Sequence, residues 1–139
     1  MATTRITDLC DALVAYLNAS VLAGITATRG YWLDTDAATL TQTVVFVRPA
    51  DNFANVNTGL QTVTTDYTLH VAVCARADDD ATVDELLGIL QDIEEQTRTQ
   101  TIAKATRSGA NSPVTFDTEY LREKKVFRGM LALKYRVVE

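Results

Sequence analysis

Apolar and polar side chains alternate along residues 127–138 for a dozen positions with scarcely an error. Phe127, Gly129, Leu131, Leu133, Tyr135 and Val137 share one face, and Arg128, Met130, Ala132, Lys134, Arg136 and Val138 share the other. A period of two belongs to a strand with one buried face, so this end of the chain is predicted to be tied into a sheet. Residues 114–121 alternate too, with Val114, Phe116 and Tyr120 against Thr115, Asp117 and Glu119. If residues 122–125 make a turn, Tyr120 falls opposite Phe127, Phe116 opposite Leu131 and Glu119 opposite Arg128. A slip of one residue would set Tyr120 and Phe116 against the basic face, so the pattern selects this parity. A C-terminal β-hairpin is the expectation.

Upstream the period changes. Within residues 4–22, Ile6, Leu9, Cys10, Leu13, Tyr16 and Leu17 recur at the three-and-four spacing of a helix face, with Thr3 or Thr4 as N-cap and Gly24 as the stop. Residues 25–33 suggest a short strand. Residues 43–48 (TVVFVR) form a β-branched run that Pro49 should end. Residues 50–61 (ADNFANVNTGLQ) have no sustained period and read as a loop of about a dozen residues, a length at which loops are usually functional or disordered. A long strand follows over residues 62–76, its Tyr67, Leu69, Val71, Val73 and Ala75 on one face, as suits a central strand. Thr82 and Glu85 have the spacing of a capping box, opening a helix whose buried stripe is Val83, Leu86, Leu87, Leu90 and Ile93. Its solvated side would carry Asp84, Asp92, Glu94 and Glu95. The helix fades near Arg98, and residues 99–112 read as a mobile connector. The sum is an α+β fold over a single domain, residues 1–139, with two amphipathic helices on one face of a mostly antiparallel sheet.

Composition adds limits. Of the 139 residues 47% are hydrophobic and 22% charged, ordinary for a globular chain of one core. A formal net charge of −5 argues against a surface that wraps nucleic acid, which needs clustered Lys and Arg to displace counterions. Cys10 and Cys74 have no C-x-x-C spacing and read as buried free thiols of a reducing compartment. No basic segment followed by an apolar run opens the chain, and no stretch has the length of a membrane span, so neither a cleaved signal nor membrane insertion is expected.

Catalytic chemistry finds little support. His70 is the single histidine, without a ligand set at metal spacing, and reads as a polar strand residue. Asp78, Asp79 and Asp80 lack the glycine and spacing of a calcium loop, and Asp34 and Asp36 form a D-x-D better read as a turn. Phosphate-cradling and nucleophile motifs are absent from the sequence. Neither a catalytic residue, a cofactor nor a metal is expected. Two segments invite a partner instead. One is the stretch with Asp51, Asn52, Phe53, Asn55 and Asn57, where Phe53 either folds back onto the core or anchors a neighbour. The other is the basic group Arg122, Lys124, Lys125 and Arg128, either a solvated tip or a surface for an acidic patch.

The segments ITDLCDALVAYLNA, VVFVRP, TDYTLHVAVCAR, TVDELLGILQDIEE and VFRGMLALKYRVVE together resemble tail terminator proteins of long-tailed phages, over nearly the whole chain. Related neck and tail-completion proteins look similar. The resemblance implies a non-enzymatic α+β subunit that assembles with itself into a ring, commonly hexameric, which caps the tail tube and joins it to the head. Its partners would be the tail-tube protein and head-connector or neck proteins, with no membrane, and with DNA only in passage through a lumen. The place of action would be the virion, after assembly in the host cytoplasm. A head-completion adaptor, or a small α+β binding domain or enzyme with a cleft near His70 or Asp34, remains the alternative.

Overall fold

The computed structural model describes residues 5–22, 24–30, 42–107 and 114–138. Helix α1 (Ile6–Tyr16) buries Leu9, Cys10 and Leu13 and runs into one wider π-turn, Leu17–Val21, that buries Leu17. Its cap position is Arg5, whose N–H donates to the Asp8 carboxylate at 3.2 Å; Thr3 and Thr4 lie outside the described residues. The π-turn presents Asn18 to strand β1 (Ala27–Arg29). There the Asn18 amide donates to the Ala27 carbonyl at 3.0 Å and accepts the Ala27 N–H at 2.7 Å. Gly24 takes the positive φ of +75° that turns the chain between the two.

The sheet is built on β2 (Val44–Thr58), β3 (Val63–Arg76) and β7 (Val126–Val138). β3 lies between the other two, antiparallel to both, while β1 joins β2 in parallel. Registration of β3 on β7 puts Tyr67 opposite Tyr135, Leu69 opposite Leu133, Val71 opposite Leu131 and Ala75 opposite Phe127. This is the face on which α1 and α2 (Asp80–Thr97) pack, and its side chains form the main core. The fold class is the one the periodicities predict. Asp66, Thr68, His70, Ala72, Cys74 and Arg76 look the other way.

Several local expectations are corrected. Pro49 does not end β2, because it sits at a bulge: Pro49 is opposite Leu69 and Ala54 is opposite Tyr67, leaving residues 50–53 across from Thr68 alone. A residue without an N–H is tolerated where the ladder is already broken. Nor is 50–61 a loop. Residues 54–58 pair with 63–67, and Gly59 N–H donates to the Thr62 carbonyl at 2.7 Å to close the tip. No hydrophobic period betrays this strand because both its faces are exposed from Asp51 onward; the backbone of β3 needs a hydrogen-bonding neighbour all the same.

Helix α2 begins three residues before the anticipated box. The Asp79 carboxylate accepts the Thr82 N–H at 2.8 Å and the Thr82 hydroxyl at 2.7 Å, so Thr82 serves as donor to a stronger cap. Leu86, Leu90 and Ile93 are buried as expected, with Val83 and Leu87 at the margin. The described part of the connector is a tight hairpin, β4 (Thr101–Ile102) and β5 (Ala105–Arg107), with Ile102 and Ala105 buried and β5 paired to β7. Its two turn residues, Ala103 (φ 49°) and Lys104 (φ 65°), both adopt a conformation that favours Asn and Gly, so the usual turn signal is missing from the sequence. Ala103→Asn with Lys104→Gly should raise stability by about 1 kcal/mol, read as a higher midpoint in urea denaturation. An unchanged or lower midpoint would count against the turn.

The C-terminal pairing is real but differently joined. β6 (Val114–Phe116) runs antiparallel to β7 with Phe116 opposite Gly129 and Val114 opposite Leu131, the expected parity displaced by two residues. Residues expected to extend that strand and turn form α3 (Thr118–Lys124) instead. Asp117 caps it by accepting the Tyr120 N–H at 3.0 Å, and Lys125 ends it at φ 57°. With a cap, an acid in the first turn and two bases in the last, seven residues satisfy helix rules, and an alternation of four positions is too short to outweigh them. Leu121 joins the main core while Tyr120 covers Cys74 and Val126 on the opposite face, so α3 wraps one end of the sheet.

Candidate functional site

Beyond Ala50 the β2–β3 hairpin continues as an arm. Asp51, Asn52, Phe53, Asn55 and Asn57 all lie on it and all are exposed, Phe53 at 42%. Phe53 therefore does not fold back into the core. Val56 at 57% and Leu60 at 105% stand beside it, and neither was singled out from sequence. Val56 shares its face with Tyr67, Val137 and Val63, because Ala54 is registered on Tyr67 and Val56 on Thr65. The apolar face of the sheet thus runs out past the helices that cover it elsewhere. At the root, Asp66 grips Arg136 through two bonds of 2.8 and 3.1 Å, which holds the Asp66 carboxyl below its ordinary pKa. Arg48 reaches Asp51 at 4.0 Å. From residue 52 to residue 65 the chain bears no charged side chain.

The basic group lies elsewhere. Arg122 and Lys124 occupy the last turn of α3 and Lys125 its cap, all exposed, beside the first residue of β7. The arm adjoins the last residues of β7, where Val138 is opposite Thr64. A strand of that length separates the two groups by roughly 40 Å, so they do not form one surface. Arg128 is held internally: it bonds the Asp117 carboxylate at 3.2 Å and lies 4.6 Å above the Tyr120 ring.

A groove opens between α2 and β6, lined by Leu87, Gln91, Glu95, Arg98, Val114 and Phe116. Val114 and Phe116 are 41% and 37% exposed although their alternation suggests a buried face. Phe116 stacks on buried Phe127 with ring centroids 5.7 Å apart, but β6 is the outermost strand here and nothing among the described residues covers its outer side. At the groove floor Glu94, expected on the solvated side, is half-buried. It pairs with Arg98 and, at 3.3 Å, with Arg107, whose side chain is 5% exposed. Arg107 also donates to the Thr97 hydroxyl at 3.0 Å.

His70 is half-buried on the second face, and burial, with the nearby Arg48 charge, lowers its pKa while Asp51 opposes the shift. Burial pushes the Cys10 thiol up to about 12 and the Cys74 thiol up to about 11. Asp79 is occupied as a helix cap. Asp34 and Asp36 lie outside the described residues.

No family model matches the chain, and no curated protein matches it. Its fold is nevertheless found among solved structures. A chain from a structure titled "Virion of native gene transfer agent (GTA) particle" matches with a TM-score of 0.59. The match covers 96% of this chain and 96% of that one at 10% sequence identity. At such identity the likeness is one of fold.

Proposed function

We propose that the chain is a non-enzymatic structural subunit of a phage-like virion, a tail terminator whose ring caps the tail tube and joins it to the head. The observation that carries this reading is the fold held in common with a virion chain over 96% of both lengths. Two features support it. The arm exposes Phe53, Val56 and Leu60 on a segment without charge, which suits contact with a neighbour better than solvation. The net charge of −5 suits a lumen through which DNA slides without adhering. On this reading Asp51, Asn52, Phe53, Asn55 and Asn57 contact neighbouring or tail-tube subunits, and Arg122, Lys124 and Lys125, with Arg128 beside them, meet an acidic patch of a neighbouring subunit. The subunit is one domain that acts in the virion after assembly in the host cytoplasm.

Light scattering across concentration, with negative-stain images of the same fractions, tests the ring. Closed rings are expected, and a monomer at every concentration would count against it. Co-purification with tail-tube protein is expected; capture of head-connector protein alone would replace the terminator with a neck adaptor. Phe53→Ala with Val56→Asp should leave the circular dichroism unchanged and weaken association at least tenfold. These substitutions are preferable to deleting residues 52–59, which would strip the pairing partner from Tyr67. Normal assembly by the double variant would remove the arm from the interface.

A further inference from the structure

We infer that the arm of one subunit seats in the α2–β6 groove of the next copy, the contact repeating head to tail; this rests on the ring reading above. The large exposed apolar side chains among the described residues fall in two places. Phe53, Val56 and Leu60 project from the arm with Val138 at its root, and Val114 and Phe116 form one wall of the groove. Each place has what the other lacks. The arm is a two-stranded projection whose apolar side chains no described residue covers. The groove is a concavity with an apolar wall, Leu87, Val114 and Phe116, that is open to solvent among the described residues.

A subunit cannot satisfy itself. Val114 is opposite Leu131, and the arm root is at Val138, so the two places differ by seven residues along β7, roughly 23 Å. They also lie on opposite sides of that strand, β3 and β2 on one and β6 on the other. Two different surfaces meeting between copies make a heterologous contact, which propagates and closes when its rotation divides the circle. An isologous pairing of arm on arm would stop at two copies.

Charge agrees with this occupant. Copies of a chain at −5 repel one another, and the inserting segment, residues 52–65, adds no charge to that repulsion. Its Asn55, Asn57 and Gln61 amides donate and accept, matching a groove rim of Gln91, Glu95 and Arg98. Glu94 on the floor is paired with Arg98 and Arg107, and Glu95 sets a second negative charge near Arg98, so the uncharged arm meets a locally balanced set of ions there.

Cross-linking separates this contact from others. The native thiols are fully buried, so a short bismaleimide reads only engineered cysteines. The full chain carrying Val56→Cys with Val114→Cys should give a ladder of covalent multimers ending at the ring. A one-to-one mixture of the two single variants should stop at dimers, and each single variant alone should remain uncrosslinked. Self-linking of the Val56→Cys variant would overturn the contact in favour of arm on arm. Rings seen by light scattering without any ladder would overturn the groove while leaving the ring intact. A monomer at the highest concentration reached, with no ladder, would overturn both.

Discussion

Glu94→Ala is expected to be among the most damaging single substitutions, lowering stability by about 3 kcal/mol, because it removes the carboxylate that pairs with the buried Arg107 guanidinium. Arg107 comes from β5 and Glu94 from α2, so their pair ties the short β4–β5 hairpin to the long helix. Thr97 accepts a second bond from Arg107 and limits the loss. For a chain of this size the change corresponds to a fall of roughly 10 °C in Tm. Glu94→Gln keeps the shape and one acceptor and should lose less. The same carboxyl sets an acid limit. The guanidinium of Arg98, and then that of Arg107, hold its pKa below the ordinary glutamate value of 4.5. The group therefore binds a proton more readily in the unfolded chain than in the folded one. Its contribution is fully present above about pH 4.5 and disappears as pH falls through the depressed folded value. Denaturation profiles of wild type and Glu94→Gln should differ at neutral pH and converge in acid. Parallel profiles at all pH values would show that the Glu94 charge contributes nothing to the pair.

Gly129→Ala is expected to cost about 1–3 kcal/mol, against the usual gain from replacing glycine in a strand. Gly129 is buried on the core face of β7, opposite Val73 and under α2. A β-carbon there would overlap Leu90 Cδ1 and lie 2.8 Å from Phe127 Cε1 and 3.0 Å from its Cζ. Leu90 is itself fully buried and Phe127 is fixed between core and Phe116, so neither has room to withdraw. The decisive measurement is a double-mutant cycle in urea. Leu90→Ala alone should cost about 2–5 kcal/mol, and in its presence the penalty at residue 129 should shrink by a kcal/mol or more. A Gly129→Ala protein as stable as the wild type, or more so, would show that α2 does not approach β7 this closely.

Much of the fold was legible where burial imposes a period. The faces of β3 and β7, the stripe of α2 and the helix ending in Leu17 follow from side chains that must point into one core. What escaped notice lacks that constraint. The arm pairs through backbone groups that every residue carries, so Asn-rich sequence on two exposed faces looks like loop. The β4–β5 turn uses Ala103 and Lys104 where Asn and Gly would have announced it. Residues 118–124 satisfy a helix cap and a short alternation at once, and only the cap was realised. The same reasons govern the candidate interface. Phe53 drew notice as an aromatic among amides, whereas Val56 and Leu60 are ordinary residues until the arm is known to project. Val114 and Phe116 alternate like core side chains, and their exposure depends on β6 being an outer strand, which is a matter of topology rather than period.

The outer edge of β2 past Val47 has no neighbour among the described residues, since β1 pairs only as far as Arg29. Natural sheets guard such edges with lysine, proline, bulges or inward charge; Pro49 and the bulge guard the near end here, and residues 54–58 beyond them carry none of these. Amide and carbonyl groups beside Phe53 and Val56 that no described residue pairs make a template for an extended chain that meets them. A subunit produced in excess of its neighbours therefore carries its own route to off-pathway strand addition. Solubility should be set by the supply of partners rather than by the stability of the fold.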